Sequence, residues 1–96
     1  MPAPNNYPNA TYIPAATSAD TSFKTAAGVL GKVIVTALGS GAANFYDNAS
    51  GHTGNLILSV PASAAVGTIY SVDVPVVNGI TCQGNAALPG LTVTWL

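Results

Sequence analysis

The chain has 96 residues, and only Asp20, Lys24, Lys32, Asp47 and Asp73 carry a formal charge; Arg and Glu are absent. An ordinary soluble domain has about a quarter of its residues charged, so the polar complement here is Ser, Thr and Asn instead. Two Lys are too few to neutralise a phosphate backbone, which disfavours nucleic acid as a partner, and the poverty of titratable groups argues against acid–base catalysis.

The first twenty residues stand apart. Pro2, Pro4, Pro8 and Pro14 fix φ and deny helix, and each biases the residue before it toward extended geometry. Tyr7, Tyr12 and Ile13 are the large apolar groups in this stretch. The expectation is an extended Pro-rich N-terminal arm over residues 1–20, docking on a neighbour through those three side chains, ahead of a single domain over 21–96. Met1 to Asn6 has no basic n-region and no apolar h-region, so synthesis and folding in a cytoplasm are expected. The apolar runs are far shorter than the roughly 18–20 residues that span a bilayer, and no membrane partner is expected.

From Thr21 onward the pattern predicts strands. Thr21–Thr25 is short. Val29–Leu38 is rich in β-branched residues, with Val33 and Val35 on one face and Lys32, Ile34 and Thr36 on the other. Gly39-Ser40-Gly41 breaks it, and Ala43–Asp47 resumes. A polar loop covers Asn48–Gly54. Leu56, Leu58 and Val60 mark a strand that Pro61 stops. In Thr68–Val74, Tyr70, Val72 and Val74 share a face, and Pro75 permits only an edge, a bulge or a change of strand. Asn78-Gly79 is a two-residue hairpin signal leading into Ile80–Cys82. Leu91, Val93 and Trp95 alternate with Thr92 and Thr94 in the last strand. Ala62–Ala65 is the nearest approach to a helix, and Gly67 ends it. Seven or eight short strands with close turns predict an all-β fold, a compact antiparallel β-sandwich or small jelly roll.

The core is expected to be filled by Val33, Val35, Leu56, Leu58, Leu91, Val93 and Trp95, with the rings of Phe23, Phe45, Tyr46 and Tyr70. Ile34, Leu38, Ile57 and Leu96 then point elsewhere. Sheet faces and edges are ordinarily blunted with charge, so aliphatic groups with almost no charged neighbours predict a subunit interface at these four positions.

Sites for chemistry are scarce. Asp47, Ser50 and His52 share one Gly-containing loop, but a triad needs its members held by separate rigid elements, so no catalytic residue is assigned. Asp47 and His52 are too few for a zinc site, and no spacing matches a calcium loop; neither metal nor cofactor is expected. Cys82 has no partner for an internal disulfide and is expected as a small buried hydrophobe.

Lys24 to Val35 runs strand, Gly, Val-Leu, strand. Phe45-Tyr46-Asp47-Asn48-Ala49-Ser50-Gly51 follows, then Val74-Pro75-Val76-Val77-Asn78-Gly79-Ile80, and a Thr-Val-Thr-Trp strand closes the chain. Over residues 21–96 this resembles the small virion proteins of tailed bacteriophages, chiefly head decoration (cement) proteins and head-fibre proteins. The resemblance implies a non-enzymatic structural protein on the outer surface of the phage head. It would bind the major capsid protein and stabilise contacts between capsid subunits, as a homo-oligomer with a trimer at three-fold positions favoured, or else as a dimer or monomer bridging capsomers. A neck, tail or fibre component shares every one of these sequence features. A carbohydrate-binding adhesive sandwich is the remaining alternative, with Tyr46 and the 48–54 loop as its nearest approach to a sugar site.

Overall fold

A computed structural model describes residues 7–96. The fold is all-β, and the eight strands are β1 (Asn9–Ile13), β2 (Thr21–Lys24), β3 (Gly28–Ala37), β4 (Ala43–Asp47), β5 (Asn55–Val60), β6 (Ile69–Val76), β7 (Ile80–Cys82) and β8 (Gly90–Trp95). They form two four-stranded antiparallel sheets, ordered β1-β8-β3-β6 and β2-β7-β4-β5. The pairs β1·β8, β2·β7, β3·β6 and β4·β5 nest like a ribbon folded on itself. The pairs β3·β8 and β4·β7 then close each sheet. This is the strand order of a jelly roll. The β4–β5 loop is a hairpin, and every other connection carries the chain from one sheet to the other.

The inner faces supply the core: Leu30, Val33, Val35, Phe45, Val60, Ile80, Leu91 and Val93 are all buried. Phe23 closes one side, 6.4 Å from Phe45 and 6.0 Å from Trp95, centroid to centroid. Trp95 donates its Nε1–H to Thr11 Oγ1 at 3.0 Å. Cys82 lies in this core, and burial, reinforced by the charge of Asp20, pushes its thiol up to about 12.

Four expectations are corrected. First, within the segment expected to be an extended arm docking on a neighbour, Asn9 to Ile13 is a strand, paired residue for residue with β8 from Trp95 to Leu91. Ile13 is 2 % exposed and belongs to the core, not to an interface. Pro8 and Pro14 bracket the strand instead of interrupting it, and β1 is an edge strand, where proline is tolerated. Of the expected arm, residues 1–6, with Pro2 and Pro4, lie outside the described residues.

Second, Leu56 is 54 % exposed, while Ile57 and Leu58 both pack on the core. The register Phe45↔Leu58 followed by Tyr46↔Leu56 makes Ile57 the extra residue of a β-bulge, which reverses the alternation beyond it. Third, Tyr46 faces away from the core, because its neighbour Phe45 is buried and successive strand residues point oppositely. Fourth, Asn78-Gly79 is no hairpin: β6 and β7 lie in different sheets, and residues 77–79 form an arch between them. The amides a hairpin would pair are taken by Asp47, whose carboxylate accepts from the N–H of Val77, Asn78 and Gly79.

Pro75 sits where expected, on an edge strand beside a bulge. Asp73 has φ 52° and the ladder slips between Leu30 and Lys32. On this edge strand Val74 is 38 % exposed, although Tyr70 and Val72 pack on the core.

Candidate functional site: the bare face of one sheet

The two outer faces of the sandwich are treated differently by the fold. On the β2-β7-β4-β5 sheet, the β4–β5 loop folds back along β7. Thr81 Oγ1 donates to the carbonyl of Asn48 at 2.8 Å and shares a 2.8 Å hydrogen bond with Ser22 Oγ. Thr81, though on an outward position, is 0 % exposed. Further along the loop, His52 Nδ1 lies 2.6 Å from Asp20 Oδ2, and Asp20 Oδ1 accepts from the Gly84 amide at 2.8 Å. These two bonds hold the Asp20 carboxyl below its ordinary range, the Gly84 amide contributing most. The loop is thereby strapped across its own sheet.

Among the described residues, no loop covers the β1-β8-β3-β6 sheet in this way. Tyr12 stands opposite Thr92, Thr92 opposite Ile34, and Ile34 opposite Ile69. The neighbours Ile13, Leu91, Val93, Val33 and Val35 are buried, so these four side chains share the outer face. They form one row across all four strands, apolar at Tyr12, Ile34 and Ile69 with Thr92 between the first two, its ends 76 % exposed at Tyr12 and 58 % exposed at Ile69. The next row is Ala10 and Thr94, then Lys32 and Ser71.

Tyr7 lies at one end of this face. Its ring rests on Gly31, where an added Cβ would come within 2.5 Å of the ring carbon Cδ2, so Gly is needed for the close approach. The Tyr7 hydroxyl donates to Asp73 Oδ1, which pushes the phenol up to about 12. Lys32 Nζ is 4.0 Å from the other Asp73 oxygen. The two charged side chains on this face therefore neutralise each other.

Of the seven residues expected at an interface, Tyr12 and Ile34 meet in the row. Tyr7 is turned onto its own sheet, Ile13 is core, and Ile57 is a half-buried bulge residue. Leu38, 66 % exposed, and Leu96, 49 % exposed, stand outside the row. Sequence reading missed Ile69, because the face it occupies is set by pairing with Ile34. The expected Asp47–Ser50–His52 neighbourhood holds no triad geometry: Asp47 is committed to the 77–79 arch and His52 to Asp20. Among the described residues there is no concave pocket and no cluster of metal-ligating side chains. No family model matches the sequence, and neither a curated protein nor a solved structure matches it.

Proposed function

We propose that the chain is a structural docking protein of a phage virion. In this reading it decorates the outside of the head, binds the major capsid protein and stabilises contacts between capsid subunits. The observation that carries it is the row Tyr12–Thr92–Ile34–Ile69, which no described residue covers, on a sheet whose charges are already paired. Exposed apolar groups in a contiguous line mark protein contact, and an electroneutral face suits a neutral protein surface. The strand order is one that viral capsid domains use, which is a fold-level analogy only.

The face is small. Four strands about 4.8 Å apart and five or six residues long give roughly 350 Å² of flat area, well below the roughly 800 Å² per partner of a standard stable interface. One copy therefore holds weakly. Copies joined as a homo-oligomer, a trimer in the preferred arrangement, would gain occupancy by avidity.

The test is binding of the purified chain to expanded, undecorated heads, compared with the variant Tyr12→Ser, Ile34→Thr, Ile69→Thr. These replacements keep strand-compatible residues on an outer face, and near-ultraviolet dichroism of Trp95 reports that the fold survives. Loss of at least tenfold in occupancy is expected. Equal occupancy by both proteins removes the docking reading.

A further inference from the structure

We propose that the opposite outer face, on the β2-β7-β4-β5 sheet, is a binding platform for a neutral saccharide. The residues concerned are Asn44, Tyr46, Ser59 and Gln83, with His52 at the border. Asn44 stands opposite Ser59, and Tyr46 lies two residues further along the same face of β4. Ser59 Oγ donates to Asn44 Oδ1 at 2.6 Å, and Asn44 Nδ2 donates to Gln83 Oε1 at 3.4 Å. This chain of bonds orients the two amides and ends on the Gln83 NH₂, which has no partner among the described residues.

Beside the amides, the Tyr46 ring faces outward with the His52 ring 6.4 Å away and tilted by 56°. Because His52 Nδ1 faces the Asp20 carboxylate, Nδ1 carries the proton in the neutral ring and Nε2 is left as an acceptor. An aromatic plane next to oriented, uncharged donors and acceptors is the chemistry a pyranose asks for: apolar C–H groups on one side, hydroxyls around the rim.

The charge distribution selects the ligand class. Lys24 Nζ sits 5.7 Å over the ring of Trp95, which belongs to the opposite sheet. Asp47 is consumed by the 77–79 amides. No free cation faces the amide row among the described residues, so phosphorylated or sulfated ligands gain nothing over neutral ones. The strapped β4–β5 loop fixes His52, which removes part of the ordering cost of binding.

The platform lies on the side of the sandwich away from the Tyr12–Ile69 row, so it is tested on the isolated chain without any shell. ¹⁵N-labelled protein is titrated with maltohexaose, cellohexaose and mannohexaose to about 10 mM, enough to detect a millimolar site. Saturable shifts at Asn44, Tyr46, His52 and Gln83 are expected with at least one sugar. They should vanish in Tyr46→Ala and persist in Tyr12→Ala, with the amide signals of Val33 and Val93 showing that both variants fold. Absence of shifts with all three sugars overturns the proposal, as do shifts that survive Tyr46→Ala or that map to the Tyr12–Ile69 row. None of these outcomes touches attachment through the other sheet.

Discussion

Ile13 shows how far a single side chain can depart from its local surroundings. It sits between Tyr12 and Pro14 in a stretch that reads as an arm, yet it is 2 % exposed. Truncation of a buried Ile to Ala costs about 2–5 kcal/mol through lost transfer energy and a cavity. Ile13→Ala should therefore lower the unfolding free energy by that amount, whereas Tyr12→Ala, one residue away, should change it little; urea unfolding followed by Trp95 fluorescence reads both.

Asp47 and Asp20 carry the chain's acid sensitivity. Hydrogen bonds from the backbone amides of Val77, Asn78 and Gly79 hold the Asp47 carboxyl below its ordinary range, the Val77 amide contributing most. The Gly84 amide and then His52 do the same for Asp20. A carboxyl with a depressed folded pKa adds stability above its unfolded value, near 4, and loses it as pH falls through the folded value. The melting temperature should be flat from pH 8 to about 5 as far as these two groups decide it, then fall below about pH 4. Asp47→Asn should cost about 1–3 kcal/mol at pH 7 and shrink the acid-induced fall, both read by thermal melts across pH. His52 as a loop residue was legible in the sequence; its partner Asp20 was not, since the contact spans 32 positions.

The strands explain why contact should be made by faces and not by edges. Each edge is blunted: β1 by Pro8 and Pro14, β6 by the Asp73 bulge and Pro75, β5 by the Ile57 bulge and Pro61. The fourth, β2, has only four residues and a register slip of its own. Such devices prevent edge-to-edge pairing. The same elements show what alternation can and cannot reveal. Val33, Val35, Leu91 and Val93 fell inward as their period-2 pattern predicts, because those stretches are regular. Leu56 fell outward because it lies just beyond a bulge. β1 was missed because Asn9, Thr11 and Ile13 alternate weakly by themselves, and their partner strand is at the other end of the chain. Deleting residues 1–13 should accordingly destroy cooperative unfolding, since it strips Ile13 from the core and exposes the β8 edge. A truncated chain that retains a sharp, unshifted melt would show that β1 is an appendage after all.

Across the whole molecule, all five charged side chains are already engaged inside the fold. Lys32 pairs with Asp73, Asp20 with His52, Asp47 with backbone amides, and Lys24 with the Trp95 ring. Little Coulomb attraction is left for a partner, so screening should have little to remove. Under the proposed function, attachment to heads should change by less than about threefold between 50 mM and 1 M salt; a steep loss in sedimentation binding assays would mean that charge, not the Tyr12–Ile69 row, makes the contact. The sequence by itself determined the all-β class, most of the strands, the inward set of β3 and β8, and the scarcity of charge, because composition and short-range alternation are local properties of the chain. Only the tertiary structure decided that the N-terminal segment closes a sheet, that 77–79 is an arch, and that Ile69 joins Tyr12 and Ile34 in one row. It also decided that one sheet is strapped by its own loop while no described residue covers the other. These depend on pairing between distant strands and on bulges that reverse a strand's facing, and neither is encoded within any single stretch of residues.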